Sequence, residues 1–398
     1  MDNQKAIESY RKRLLRKPGN TDNILVESNG SRENDDHSFL DGHADSKLST
    51  SIQALDILAN ENEENEKEIL DMSQKLSIHG AGLLKALDSG NVKYFEEYPK
   101  SFALLEVLVR TDGSRPSYLI KQGKIDFSSG ASTEWEGILT PDIDRIQDAL
   151  ACIGRVELTG IHIGTGFLIA DNLIATNRHV LQAIASRQRD GSWAFKAGAG
   201  IDFGREFRGI DSLRPRQLTS VVYAGDEIKT SIDHNSLDLA LIALNECEED
   251  GLPKKNLGIE SATDWASEGK YIITAGYPGN PGLGGLTNYG TNVLNLLFKS
   301  TYGFKRLAPG QVILGEETAA PGQFSHDAST LGGNSGSPVV LLGTESIAAG
   351  IHYGGRLSFP RENWGHILAH YFDRKDSITN KSLRNCLEEY EVEIGASI

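Results

Sequence analysis

Ser329-Thr330-Leu331-Gly332-Gly333-Asn334-Ser335-Gly336-Ser337-Pro338 is the stretch on which the reading of this 398-residue chain turns. Three glycines surround one serine, so the backbone can take positive φ values that a residue with a Cβ resists. A nucleophilic serine needs such a turn, because backbone N–H groups must point at one spot beside its hydroxyl. Here Gly333 and Ser335 supply N–H groups able to hold the oxyanion of a tetrahedral intermediate. Taken alone, the stretch also reads as an ordinary Gly/Ser loop.

Two further stretches weigh against the plain loop. Gly164-Thr165-Gly166-Phe167-Leu168-Ile169-Ala170 and Leu173-Ile174-Ala175-Thr176 flank Asp171-Asn172, and the pattern predicts a β-hairpin. His179 follows in Thr176-Asn177-Arg178-His179-Val180, at the head of a short helical segment. Farther on, Asp238 heads the apolar run Leu239-Ala240-Leu241-Ile242-Ala243-Leu244, where a carboxylate needs a donor partner. A lone histidine or aspartate in such a place is usually structural. The order His, Asp, glycine-wrapped Ser is harder to obtain by chance.

As a set, the three stretches resemble those of chymotrypsin-fold serine proteases, and most closely the staphylococcal glutamyl endopeptidases (the V8 type). Where that group carries TNKHV-like, GDLA-like and STTGGNSGSPV motifs, this chain reads TNRHV, LDLA and STLGGNSGSPV. Gly350-Ile351-His352-Tyr353-Gly354-Gly355 matches the group's GIHWGG, and Tyr277-Pro278-Gly279 its YPG. The resemblance spans Ile153 to Gly355. It implies two packed antiparallel barrels with a catalytic triad of His179, Asp238 and Ser335 and an oxyanion hole at Gly333 and Ser335. Ser329 stands where the trypsin type has an Asp, six residues before the serine, which argues against Arg or Lys specificity. Thr330 and His352 match the Thr and His that bind the substrate glutamate in the V8 type, with Gly354 completing the substrate-binding set. A preference for Glu, or Asp, before the cut is therefore expected. Asn334 stands where trypsin-type activation uses an Asp, so a new N-terminal amine would find no charge there.

Composition sets the outer bounds. The chain is 39% apolar and 24% charged, which fits a globular protein with a polar segment. A net charge of −15 argues against nucleic acid as a partner, since phosphate binding needs clustered Lys and Arg. Cys152, Cys247 and Cys386 are odd in number and widely spaced, with neither disulfide framework nor zinc spacing. No apolar run is long enough for a signal peptide or a membrane span. The expectation is a cytoplasmic protein without membrane contact, acting on protein or peptide substrates.

Along the chain, residues 1–65 read as a basic N-terminus followed by a flexible acidic linker. Residues 21–70 hold thirteen acidic against three basic side chains, −10 of the total charge. Residues 66–145 read as a small mixed α/β module, with apolar steps at Ile69, Met72, Leu76, Leu83 and Leu87, a hairpin around Gln122-Gly123 and a helix over 142–151. This module is the candidate site for a regulatory partner. The protease domain is assigned to 146–375, with the first barrel at about 146–260 and the second at about 261–360. The spacing predicts helix over 364–373 and a C-terminal helix within 376–398.

Other chemistries fit poorly. Gly282-Leu283-Gly284-Gly285 has no strand before it and no helix after it, so it is no dinucleotide fingerprint. Asp142, Asp144 and Asp148 lack calcium-loop spacing. His366 and His370 lack the glutamate of a zinc motif, so no metal and no cofactor is expected. Two alternatives to a serine endopeptidase stay open: an idle peptide-binding module on the same fold, and an esterase using the same triad.

Overall fold

The computed structural model describes residues 3–15, 36–61, 66–98, 100–130, 134–212, 215–229, 234–246, 253, 255–281, 294, 297–314, 320–344, 346–356, 362–376 and 378–395. The chain divides into two compact units, the first running to Ser114 and the second opening at Arg115.

The first unit is helical: α1 (Asn3–Leu15), α2 (Asp36–Glu61), α3 (Glu66–Asp88), α4 (Val92–Glu97) and α5 (Ser101–Thr111). The steps of three and four read in the sequence form its core, with Ile69, Met72, Leu76, Leu83 and Leu87 buried beside Tyr10, Phe95, Leu105 and Leu108. The acidic linker needs correction. Part of it, residues 16–35 and 62–65, lies outside the described residues, but α2 is a helix with a buried stripe at Lys47, Ser51, Leu55 and Ala59. These recur every four residues and so share one face. Half the stripe is polar, which hid it among the acids. Lys47 is satisfied by Asp112 at 3.7 Å and Ser51 donates to the Leu108 carbonyl. Gly80 of α3 meets Leu48 so closely that a Cβ would come within 2.4 Å of it.

The second unit begins earlier than 146. β1 (Tyr118–Lys121) and β2 (Lys124–Asp126) form the expected hairpin, and β1 extends a barrel sheet through Tyr118 opposite Leu307. α6 (Glu134–Leu139) and α7 (Ile143–Ala151) bury Trp135, Leu139, Ile146 and Leu150 in the core that the barrel strands share. Residues 66–145 are therefore not one module; Arg115 onward belongs with the barrels.

The first barrel closes through β3 (Ile153–Leu158), β4 (Ile161–Ala170), β5 (Leu173–Thr176), β8 (Ala199–Asp202), β9 (Arg216–Ala224) and β10 (Ala240–Leu244), in the order β10-β5-β4-β3-β8-β9. Between β5 and β8 lie α8 (Arg178–Ile184) and a small pair, β6 (Ala185–Arg187) with β7 (Trp193–Phe195). The second barrel uses β12 (Tyr271–Gly276), β13 (Arg306–Leu314), β14 (Gln323–His326), β15 (Pro338–Leu341), β16 (Ile347–Arg356) and β17 (Glu362–Ile367). It runs β12-β15-β16-β17-β14-β13 and closes by pairing β12 with β13. β11 (Gly258–Glu260) lies parallel to both β16 and β18 (Ile394–Gly395). Two six-stranded antiparallel barrels are the chymotrypsin-like architecture, mostly β with added helices.

The C-terminal expectations are corrected in part. Residues 364–373 are not helix: β17 pairs on both sides, Ser325 opposite Trp364 and Gly350 opposite Ile367, before a 3-10 turn at Leu368–Tyr371. Gly365 permits this, because a Cβ there would meet the Phe324 ring at 2.4 Å. Among the described residues of 376–398, helix is limited to α9 (Leu383–Glu389), whose Leu383, Cys386 and Leu387 join the barrel core.

Leu55→Ala tests the corrected linker. A buried leucine on α2 should cost about 2–5 kcal/mol of the helical unit's stability, read by urea unfolding followed by circular dichroism. A solvated linker would lose nothing.

Candidate active site

α8 starts where β5 ends, and Val180, Leu181 and Ile184 bury one face of it. Arg178 is also buried, its guanidinium 4.4 Å from the Trp193 ring. His179, between two buried neighbours, is left half-exposed. Asn177, the N-cap, is fully buried and donates to the Asp238 carbonyl at 2.7 Å, tying the start of α8 to the other stretch singled out in the sequence.

Asp238 lies between Leu237 and Leu239, each 1% exposed, so its carboxylate must find donors. It finds two on one residue. Oδ1 accepts the His179 backbone N–H at 2.9 Å, and Oδ2 meets His179 Nδ1 at 2.6 Å. A carboxylate can only accept, so the ring proton sits on Nδ1 and Nε2 is left as the basic nitrogen. The backbone N–H of Asp238 donates to His366 Nε2 at 3.1 Å. His366 is fully enclosed and stacks on Tyr353 at 4.2 Å. Burial, offset in part by Asp238, pulls its pKa down to about 4 and keeps it the neutral acceptor that this bond needs.

Ser335 sits on the turn its glycines predict, with Gly333 at φ +96° and Gly336 at φ +90°. Both positions also exclude a side chain on contact grounds. A Cβ on Gly336 would lie 2.0 Å from the Thr165 carbonyl oxygen, and one on Gly333 2.5 Å from that of Tyr277. The turn is stitched to both barrels: Thr165 N–H donates to Ser335 O, Thr165 Oγ1 to Gly333 O, and Gly336 N–H to His352 O. Gly164, next to Thr165, lies against Val180 on one side and the Ser335 carbonyl on the other, which brings the serine turn beside the histidine helix. Among the described residues, the N–H groups of Gly333 and Ser335 meet no acceptor. Two uncommitted donors at a serine are what an oxyanion would use.

Residues 164–348 match the trypsin-like peptidase domain family. A protein of Lysobacter enzymogenes described as a probable serine protease is 30% identical over 275 residues, 63% of this chain and 69% of that one. The chain belongs to the trypsin-like serine peptidases. Solved structures of human heparin binding protein (TM-score 0.39, 16% identity, 56% of this chain and 89% of that one) and mouse neuropsin (0.39, 13%, 56% and 92%) are also similar.

In this peptidase the pocket residues read from the sequence cluster near the serine turn, with partners the sequence did not announce. Ser329 is 4% exposed and its hydroxyl donates to the Arg115 carbonyl at 2.7 Å. Thr330 donates to Asn363 Oδ1 at 2.8 Å, while Asn363 Nδ2 holds the Ala328 carbonyl. His352 Nδ1 meets His326 Nε2 at 3.1 Å, both rings being buried. Gly354 pairs with Trp364 across β16 and β17. Burial lowers His326 to about 4. It does the same for His162, helped by the Arg155 charge, where the ring abuts Gly333. Sequence reasoning missed His162, His326, Asn363 and Arg115, and it weighed His366 only as a zinc ligand. Their partners lie 33 to 214 residues away in the case of Asn363 and Arg115, and no local motif marks them.

His366→Leu should remove the acceptor for the Asp238 N–H and lower kcat about tenfold, equivalent to about 1.4 kcal/mol. Steady-state kinetics on a short peptide checks this, with KM expected to stay within about twofold.

Proposed function

We propose that this peptidase is an endopeptidase that cuts through a His179-Asp238-Ser335 triad and an acyl-enzyme, preferring Glu, or Asp, before the cut. The observation that carries the reading is the double grip of Asp238 on His179, which leaves Nε2 as the basic nitrogen on a helix that Gly164 sets close to the serine turn. A serine hydroxyl is a weak nucleophile at neutral pH and needs such a base. His179 takes the Ser335 proton during attack and returns it to the leaving amine, while Asp238 holds the tautomer and stabilises the imidazolium. The Gly333 and Ser335 N–H groups receive the oxyanion, a contact typically worth about 3–4 kcal/mol per donor.

The acidic preference rests on His352. In the tautomer in which His326 Nε2 donates to His352 Nδ1, His352 carries its own proton on Nε2, and that is the hydrogen a substrate carboxylate would accept. Thr330 contributes by rotating its hydroxyl away from Asn363 when that carboxylate arrives. Ser329, turned to a backbone carbonyl, adds no charge that would favour a basic side chain.

Ser335→Ala and His179→Ala should each abolish peptide hydrolysis while leaving the thermal midpoint nearly unchanged; labelling by a fluorophosphonate should vanish with Ser335. Near-wild-type turnover in either variant would sink the triad, and a wild type that resists labelling would favour an idle binding module. Hydrolysis of simple esters but not of peptides would point instead to an esterase. His352→Ala should cost about 30- to 1000-fold on peptides with Glu before the cut, equivalent to about 2–4 kcal/mol. On peptides with an apolar residue there it should cost far less. Equal loss on both would leave His352 a packing residue.

The helical unit is assigned a regulatory role in the same proposal, as a restraint on the barrels. Its separate core and its join to the barrel unit at Arg115 support this reading. A chain beginning at Arg115 should turn over a short peptide faster than the full chain. A folded shortened chain that is no faster would leave partner docking as the unit's role.

A further inference from the structure

Asp327, Ala328, Ser329 and Thr330 run into the serine turn, and each of the four is held by a group from elsewhere in the chain. Asn363 on β17 holds two of them, through the Ala328 carbonyl and the Thr330 hydroxyl. The other two converge on one residue. Arg115 Nε lies 2.7 Å from Asp327 Oδ1, and the Arg115 carbonyl accepts the Ser329 hydroxyl at 2.7 Å. Gln311 completes the cluster, its side chain accepting from Arg115 Nη2 at 3.0 Å and its backbone N–H donating to Asp327 Oδ1 at 2.8 Å. The Arg115 and Asp327 side chains are 9% and 2% exposed. Gly310, beside Gln311, lets the strand approach this closely, since a Cβ there would lie 2.6 Å from the Ala328 nitrogen.

We infer that Arg115 is a positioning residue for substrate selection: its ion pair with Asp327 and its carbonyl on Ser329 fix the 327–330 wall against which the substrate side chain is read. The inference rests on the proposed reading of Ser329 and Thr330 as pocket residues. A buried ion pair adds little net stability against an apolar replacement, but losing one partner strands a charge. Its value here is placement, because a planar guanidinium fixes both distance and direction where an ammonium fixes only distance. The device also suits the serine turn. Asn334 carries no charge for a processed N-terminal amine to pair with, whereas Arg115 lies within the chain and needs no cleavage to reach its carboxylate. Electrostatic anchoring of the selection wall thus comes with the intact polypeptide.

The experiment compares the full-length wild type with Arg115→Met, Arg115→Lys and Asp327→Asn. Two readouts are taken. One is kcat and KM on a peptide carrying whichever residue the wild type prefers before the cut. The other is the inactivation rate with diisopropyl fluorophosphate, a small reagent that uses the serine, its base and the oxyanion donors but does not fill a side-chain pocket. Arg115→Met and Asp327→Asn should raise KM at least about tenfold, with inactivation within about threefold of wild type. Arg115→Lys, keeping the charge but losing the fork, should fall between. An unchanged KM would overturn the inference, and so would an inactivation rate that drops by the same factor as kcat/KM, since the pair would then be general scaffold. Should Arg115→Met fail to fold, Arg115→Lys and Asp327→Asn decide on the same readouts. A wild type that neither hydrolyses peptide nor reacts with the reagent would instead overturn the triad, and this inference with it. A wild type that prefers an apolar residue removes only the acidic preference and leaves the Arg115 test intact.

Discussion

A carboxylate enclosed by leucines, accepting two hydrogen bonds from a single histidine, is the constraint from which the site is arranged. Asp238 cannot stay charged between Leu237 and Leu239 without donors, and His179 provides both a backbone and a ring N–H. The backbone bond fixes where α8 begins, and the ring bond fixes which nitrogen is basic. Since β10 starts two residues after Asp238 and β5 ends two residues before Arg178, the barrel register of Ala240 opposite Thr176 brings the two stretches together. The histidine is oriented by the fold itself, with no further loop needed.

Around this pair the structure uses neutral histidines as fixed hydrogen-bond partners. His162, His326 and His366 are each driven down to about 4 chiefly by burial. At neutral pH they therefore add no positive charge near the serine turn. A neutral imidazole can also be both donor and acceptor, which a lysine or arginine cannot. That dual character lets His366 receive the Asp238 N–H and lets His326 pair with His352.

The barrel strands were legible in the sequence because short apolar runs between Gly, Asn and Pro carry the information locally: the hairpin read at 164–176 is β4 and β5, and the run after Asp238 is β10. His179, Asp238 and Ser335 were legible for a similar reason: each sits in a contiguous motif. Residues whose role depends on a distant partner were not. Asn363 looks like any polar residue until β17 pairs Asn363 with Gly355 and sets it beside Thr330. The 364–373 segment was misread as helix because a strand paired on both sides, with Gly365 under a phenyl ring, has no period of its own to show. α2 was missed because its buried face includes Lys47 and Ser51, whose burial is tolerable only through Asp112 and the Leu108 carbonyl.

The boundary between the units acquires a physical meaning from the same reasoning. Asp112 and Ser114 close the helical unit, with the Ser114 N–H bonded to Asp112 Oδ1, and the next residue is Arg115. The peptide bond that joins the units is thus the one at which the clamp on the 327–330 wall begins. A barrel reading that starts at residue 146 would discard the arginine, the β1–β2 hairpin and α6, and would clip the start of α7. The barrels alone supply the histidine, the aspartate and the serine. The 327–330 segment draws in addition on Arg115, directly after the helices. Any force on that segment would reach Ser329 through one carbonyl and Asp327 through one guanidinium. On the proposed reading of Ser329 and Thr330, selection of the substrate side chain therefore depends on Arg115, and the proton chemistry at His179 does not.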